Sequence, residues 1–131
     1  RALSGLVWVA GLAACEPAND AQRLAMHWQA CETGLPDARI TACSLVIEAP
    51  NVTLAQKIQA LIDRGSLRAT RNEDERAFAD FGQALRFDAN NAEAHIQRGL
   101  LHQKRGAFGP AITDFVAADR INEASGAADY L

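Results

Sequence analysis

An internal repeat constrains this chain more than any other feature. Slid against itself by 34 residues, segment 58–91 matches segment 92–125 at eleven places. The pairs are Ala60/Ala94, Ile62/Ile96, Arg64/Arg98, Gly65/Gly99, Leu67/Leu101, Arg71/Arg105, Ala77/Ala111, Asp80/Asp114, Phe81/Phe115, Ala84/Ala118 and Arg86/Arg120. Ordinary residue frequencies would give about two or three. A period of this size marks tandem supersecondary units, each of which buries its apolar face only against a neighbour. Each unit holds two helical stripes. Leu54, Ile58, Leu61, Ile62 and Gly65 make the first, and Ala77, Phe78, Phe81, Ala84 and Leu85 the second. In the next unit the stripes are Ala92, His95, Ile96, Gly99 and Leu100, then Ala111, Ile112, Phe115 and Ala118.

Local signals punctuate these stripes. Thr53 with Gln56, Asn72 with Glu75, and Asn90 with Glu93 have capping-box spacing. Pro110 suits a first helical turn and Gly106 a helix end. Gly65 and Gly99 fall mid-helix, where each costs about 1 kcal/mol relative to Ala. Their repetition points to close approach of a neighbouring helix, with Ala77 and Ala111 small for the same reason. Phe81 and Phe115 are expected to fill the space between successive hairpins. Upstream lies a degenerate unit: Asn19 with Gln22 opens a stripe of Leu24, Trp28 and Cys31, Gly34-Leu35-Pro36 turns the chain, and Ile40, Cys43, Val46 and Ile47 follow. The expected architecture is all-α: a degenerate hairpin over 20–50, then repeats over 54–89 and 90–125. Residues 126–131 read as the start of a further helix.

These features resemble the tetratricopeptide repeat family. Gly99, Gly106, Phe108, Ala111, Phe115 and Ala118 carry the likeness, preceded by Gly65, Ala77, Phe81 and Ala84. His95 and His102 depart from it, standing where the family has aromatics, as does Glu123, where it often has Pro. The resemblance implies about three hairpins stacked as a short right-handed α-solenoid that binds a protein or peptide partner along its first helices. The implied lining is Gln59, Ile62, Asp63, Ser66, Ala69 and Thr70, then Glu93, Ile96, Gln97, Leu100, Gln103 and Lys104. No basic clamp for a peptide carboxylate is present among them. Ile62, Ile96 and Leu100 form an apolar strip suited to a hydrophobic partner segment.

Residues 1–14, RALSGLVWVAGLAA, begin with one Arg and continue uncharged. Such a run is shorter than the roughly 20 residues of a membrane-spanning helix and has the make-up of a signal peptide. Its end, Leu12-Ala13-Ala14-Cys15, resembles the lipobox of bacterial lipoproteins. That likeness implies acylation of Cys15, a tether over 15–19, and a place on the periplasmic side of the cell envelope. An ordinary cleaved signal, leaving a soluble periplasmic protein, and a buried apolar helix are the other readings. With Cys15 lipidated, Cys31 and Cys43 remain as a pair, and export permits a disulfide between them. Two buried free thiols are the alternative.

No nucleophile elbow, phosphate loop or HExxH motif occurs. His95 and His102 share a helix face but supply too few ligands for a metal and are expected to pack. Asp37, Asp80, Asp114 and Asp119 are expected on solvated outer faces, and Arg64 and Arg98 to lay their stems along apolar surface, with the guanidinium at an edge near a helix-borne acid. A net charge of −3 gives no support to nucleic-acid binding. The sequence therefore points to a non-enzymatic interaction module without metal, cofactor or small-molecule substrate, anchored to a membrane by lipid. An accessory segment of a larger exported protein, or a pilotin-like or outer-membrane assembly factor, is the alternative. The outer face of the last hairpin is expected to keep Phe108, Ile112 and Phe115 near the chain end, leaving it incompletely capped.

Overall fold

The computed structural model describes residues 18–129. The apolar leader, Cys15, all but the end of the tether, and Tyr130 and Leu131 lie outside the described residues. Six helices and no strand occur among the described residues: α1 (Asp20–Thr33), α2 (Pro36–Glu48), α3 (Leu54–Thr70), α4 (Asp74–Phe87), α5 (Ala92–Lys104) and α6 (Phe108–Asp129). Each consecutive pair packs together, and the first helices also touch in a row, α1 on α3 and α3 on α5. Residues 126–129 continue α6 rather than opening another helix.

Helix starts follow local chemistry, with two shifts from expectation. Asn19 and Thr53 form complete capping boxes with Gln22 and Gln56. Before α5 the capping side chain is Asn91, not Asn90, and it accepts from the Ala94 amide. Asn72 does not cap α4 at all. It stands at φ 60°, just past the end of α3, and Glu73 precedes α4 with no side-chain cap. The amides of Asn72 and Glu73 reach back to the carbonyls of Ala69 and Arg68, at 3.1 and 2.9 Å. Gly106, at φ 74°, repeats this closure after α5, with Gly106 and Ala107 bonded to Gln103 and His102. Asn and Gly are the two residue types that enter the left-handed region readily, so the same turn is made at equivalent places by different residues.

The core is continuous from hairpin to hairpin. Cys31, Cys43, Val46, Leu61, Ile62, Ala84 and Ala94 belong to one buried cluster spanning α1 to α5. Cys31 and Cys43 are joined by a disulfide that ties α1 to α2 across 12 residues. The repeated glycines mark the closest helix approaches. A Cβ on Gly65 would lie 2.6 Å from Cε1 of Phe81, and one on Gly99 would lie 2.7 Å from Cε1 of Phe115. The two phenyl rings therefore pack within their own hairpins, on the glycine of the preceding helix. Phe81 also meets Leu101 of the next hairpin. Phe115 is turned inward by the same contact and is not part of the exposed outer face.

Two predictions follow from this packing. Gly65→Ala should destabilise the fold by about 1–2 kcal/mol, because overpacking against the buried Phe81 outweighs the helical preference for Ala. Adding Phe81→Leu should make the alanine less costly, as a double-mutant cycle in urea would read. Reducing the Cys31–Cys43 bond should cost about 3 kcal/mol by the loop-entropy argument, seen as a lower unfolding midpoint in the presence of a thiol reductant.

Candidate functional site

Two features are candidates: a pair of buried ionic clusters, and a groove between α3 and α5. The clusters repeat with the sequence. Asp80 on α4 and Asp114 on α6 are only 2% and 3% exposed, against the expectation of solvated charge. Each faces inward because an arginine from the preceding helix meets it. Arg64 donates from Nε and Nη2 to the two oxygens of Asp80, at 3.0 and 2.7 Å. Arg98 makes the same fork to Asp114, at 2.8 and 2.7 Å. This fork-on-fork geometry strengthens the pair and fixes its orientation. Asp37 and Asp119 stay exposed as expected.

The clusters differ in their third member. Arg68 adds a bond to Asp80 at 2.8 Å, and Arg64 donates to Ser44 of α2 at 2.9 Å, joining the first two hairpins. In the last hairpin, His95 places Nδ1 3.0 Å from Asp114 and Nε2 2.9 Å from the Ala89 carbonyl. His102 stands where Arg68 does one repeat earlier. It lies 3.9 Å from Asp114 and packs at a tilt against Phe78, with ring centroids 4.6 Å apart. Thus His95 belongs to a polar network and His102 packs against an aromatic ring. Burial opposes ionisation of Asp114, but the hydrogen bonds from Arg98 and His95 and their charge outweigh it and hold the carboxyl below its ordinary value. Arg98 is raised in return by its bond to Asp114. The arrangement offers no nucleophile and no open coordination position, because every oxygen of both carboxylates is already bonded to a cation.

The second feature is the groove between α3 and α5. It is open, with a volume of about 380 Å³, and is lined by Ser66, Ala69, Thr70, Asn72, Phe81, Gln97, Leu100, Leu101 and Lys104. Ser66, Ala69, Thr70, Gln97, Leu100 and Lys104 of the expected lining meet here. Gln59 instead lines a separate depression with Leu54 and Phe87, and bonds to Asp63 at 3.1 Å. Burial pushes the Asp63 carboxyl up, the Gln59 bond and the nearby Arg39 only partly offsetting it. Glu93, Ile96 and Gln103 are exposed on α5 without entering this groove.

Ile62 is a correction. It is 1% exposed and joins the buried cluster that includes Ala94 of α5, so it cannot present itself to a partner. Its repeat equivalent, Ile96, has no helix beyond it among the described residues and remains exposed. The apolar strip of the surface is therefore Ile96 and Leu100 alone. Lys104 is not free either: Nζ binds the Ala69 carbonyl and Asn72 Oδ1 at 2.9 Å each, and Asp74 at 3.3 Å. Phe81, Leu101 and Asn72 are lining residues the sequence did not single out. Asn72 was expected to open a helix with Glu75; its place 34 residues before Gly106 is the signal that could have marked it as a helix end.

No group of three His, Cys, Asp or Glu residues suited to a metal occurs among the described residues. None of the described helices is long and apolar enough to cross a membrane. No protein-family model, curated protein or solved structure matches the chain.

Asp114 generates a pH prediction. Its folded value lies below the unfolded value of about 3.9. Its contribution to stability is therefore complete above that value and lost as pH falls through the folded one. Asp114→Asn should flatten the acid limb of a stability–pH series below about pH 4. At neutral pH it should destabilise by about 3–5 kcal/mol, since Arg98 then lies half-buried without its partner.

Proposed function

We propose that the chain is a protein-interaction module of the bacterial cell envelope. In this reading it is a tetratricopeptide-type array of about three hairpins, wound as a short right-handed solenoid and held at the membrane by lipid on Cys15. The groove between α3 and α5 is the observation that carries the proposal. Its floor is apolar, made by Phe81 and Leu101, and its walls offer the hydroxyls of Ser66 and Thr70, the amide of Gln97 and the exposed aliphatic side of Leu100. Such a surface accepts the hydrophobic face of a helix or an extended apolar segment, with a few hydrogen bonds to set its register. Lys104 is already occupied by three acceptors, so a charged peptide terminus finds no free cation there. The lipobox-like Leu12-Ala13-Ala14-Cys15 and the disulfide in the first hairpin support export to an oxidising compartment.

The test is capture of a partner in intact envelopes. A photo-crosslinking residue at Gln97 should yield a protein adduct. Leu100→Asp should lower its yield by about tenfold or more, the loss of about 1.4 kcal/mol of binding. Capture should change little between low and moderate salt, because few charges are engaged. Cys15→Ser should release the protein from the membrane fraction. Adducts insensitive to Leu100→Asp, or lost at moderate salt, would sink the reading of this groove.

A further inference from the structure

Turns of two to five residues join consecutive helices, so neighbouring helices run antiparallel and α1, α3 and α5 run parallel. One end of the array therefore gathers the starts of α1, α3 and α5 and the finishes of α2 and α4. Two large apolar side chains stand exposed together at that end. Leu54 opens α3 and is 54% exposed, and Phe87 closes α4 and is 41% exposed. They line one open depression with Ala55 and Ile58. Lys57 sets Nζ 5.6 Å from the centroid of the Phe87 ring. Its partner among the described residues is that ring and not a carboxylate, so the cation remains available to an acceptor from outside.

The tether enters at the same end. Asn19 caps α1, and Cys15 stands four residues before it. Four residues span at most about 14 Å. α1 packs on α3 and α3 on α4, which places Leu54 and Phe87 within about 20 Å of the point of entry, at roughly 10 Å per packed helix. We propose that this end of the array lies on the lipid bilayer, with Leu54 and Phe87 entering the acyl boundary and Lys57 reaching the phosphates. The proposal rests on the reading that Cys15 carries lipid, which holds the bilayer within that distance.

Two apolar side chains are too few to recruit a free protein to a membrane. A short tether raises the effective concentration of the surface to the millimolar range, where a weak contact suffices to fix orientation. A ring beside an ammonium suits the interface, because the ring meets the acyl chains and the amine meets the headgroups. Glu48, Asp88 and Glu93 stand at the same end, so the contact is apolar rather than a basic patch for anionic lipid, and a zwitterionic surface fits it. This orientation sets the α3–α5 groove on the far side. Ser66, Thr70, Leu100 and Lys104 belong to the later turns of α3 and α5, about 20 Å along the helices from Leu54. The groove then opens away from the membrane, toward a partner in solution.

Cys15 is the one thiol outside the disulfide, so the full chain can be coupled there to a maleimide lipid in phosphatidylcholine vesicles. This sets the anchor whether or not cells acylate Cys15, and keeps the contact separate from lipidation, which membrane fractionation of Cys15→Ser reads. In a Trp8→Phe background, the fluorescence of Phe87→Trp should shift to shorter wavelength and be quenched by acyl-brominated lipid. Leu35, in the α1–α2 turn at the opposite end, is 79% exposed, and Leu35→Trp should show neither change. Leu54→Glu puts an acid in the first turn of α3, where it suits the helix. It should remove the quench at Phe87→Trp while thermal unfolding stays near wild type. The contrast between Phe87→Trp and Leu35→Trp reads the orientation even if Leu54→Glu disturbs the fold. Equal quenching at the two positions, no quenching at Phe87→Trp, or a quench that Leu54→Glu leaves unchanged overturns the proposal. So does a photo-crosslinker at Phe87 that captures a protein rather than lipid in intact envelopes.

Discussion

Asp80 carries its carboxylate into the junction of α3 and α4, where water does not reach it. An ionised carboxylate survives there only if its lone pairs are filled by fixed donors. Arg64 and Arg68 fill them, one turn apart on the same helix. That requirement sets the rotation of α3 about its axis, which turns Gly65 onto the ring of Phe81 and leaves Ser66 beside the groove. Arg64 also reaches Ser44, so one guanidinium orients three helices. The last hairpin repeats the fork with Arg98 and Asp114 and thereby turns Gly99 onto Phe115.

The third partner of each carboxylate differs, and the difference shows how a repeat tolerates variation. Two arginines serve Asp80, whereas one arginine and a histidine serve Asp114. The geometric demand is a donor in a given direction, and residues of different length meet it from different positions. The turn after the first helix follows the same logic. Asn72 and Gly106 differ in chemistry but share the left-handed backbone that closes α3 and α5.

Much of the architecture was legible because the 34-residue period and the 3.6-residue stripes act locally and redundantly. The helices, the close approaches at Gly65 and Gly99, and the hairpin placement of Cys31 and Cys43 could all be read from spacing. Burial of charge could not. Asp80 recurs as Asp114 and Arg64 as Arg98, but recurrence does not say that an acid is buried; only the forked cation across the hairpin shows that. Ile62 and Ile96 are likewise the same residue at the same repeat position. One is covered because another first helix packs beside its own, and the other ends the described row.

The sequence by itself determined that the chain is helical, where most turns fall, and which small residues admit a neighbouring ring. These properties depend on backbone preference and on the periodicity of apolar side chains along a single segment. The tertiary structure alone decided which acids lie inside, that Lys104 is occupied, and that the groove runs past Ser66, Gln97 and Leu100 rather than Ile62. Those outcomes depend on which side chains from distant segments arrive at the same point. A hydrogen bond or an excluded water exists only once both partners are in place.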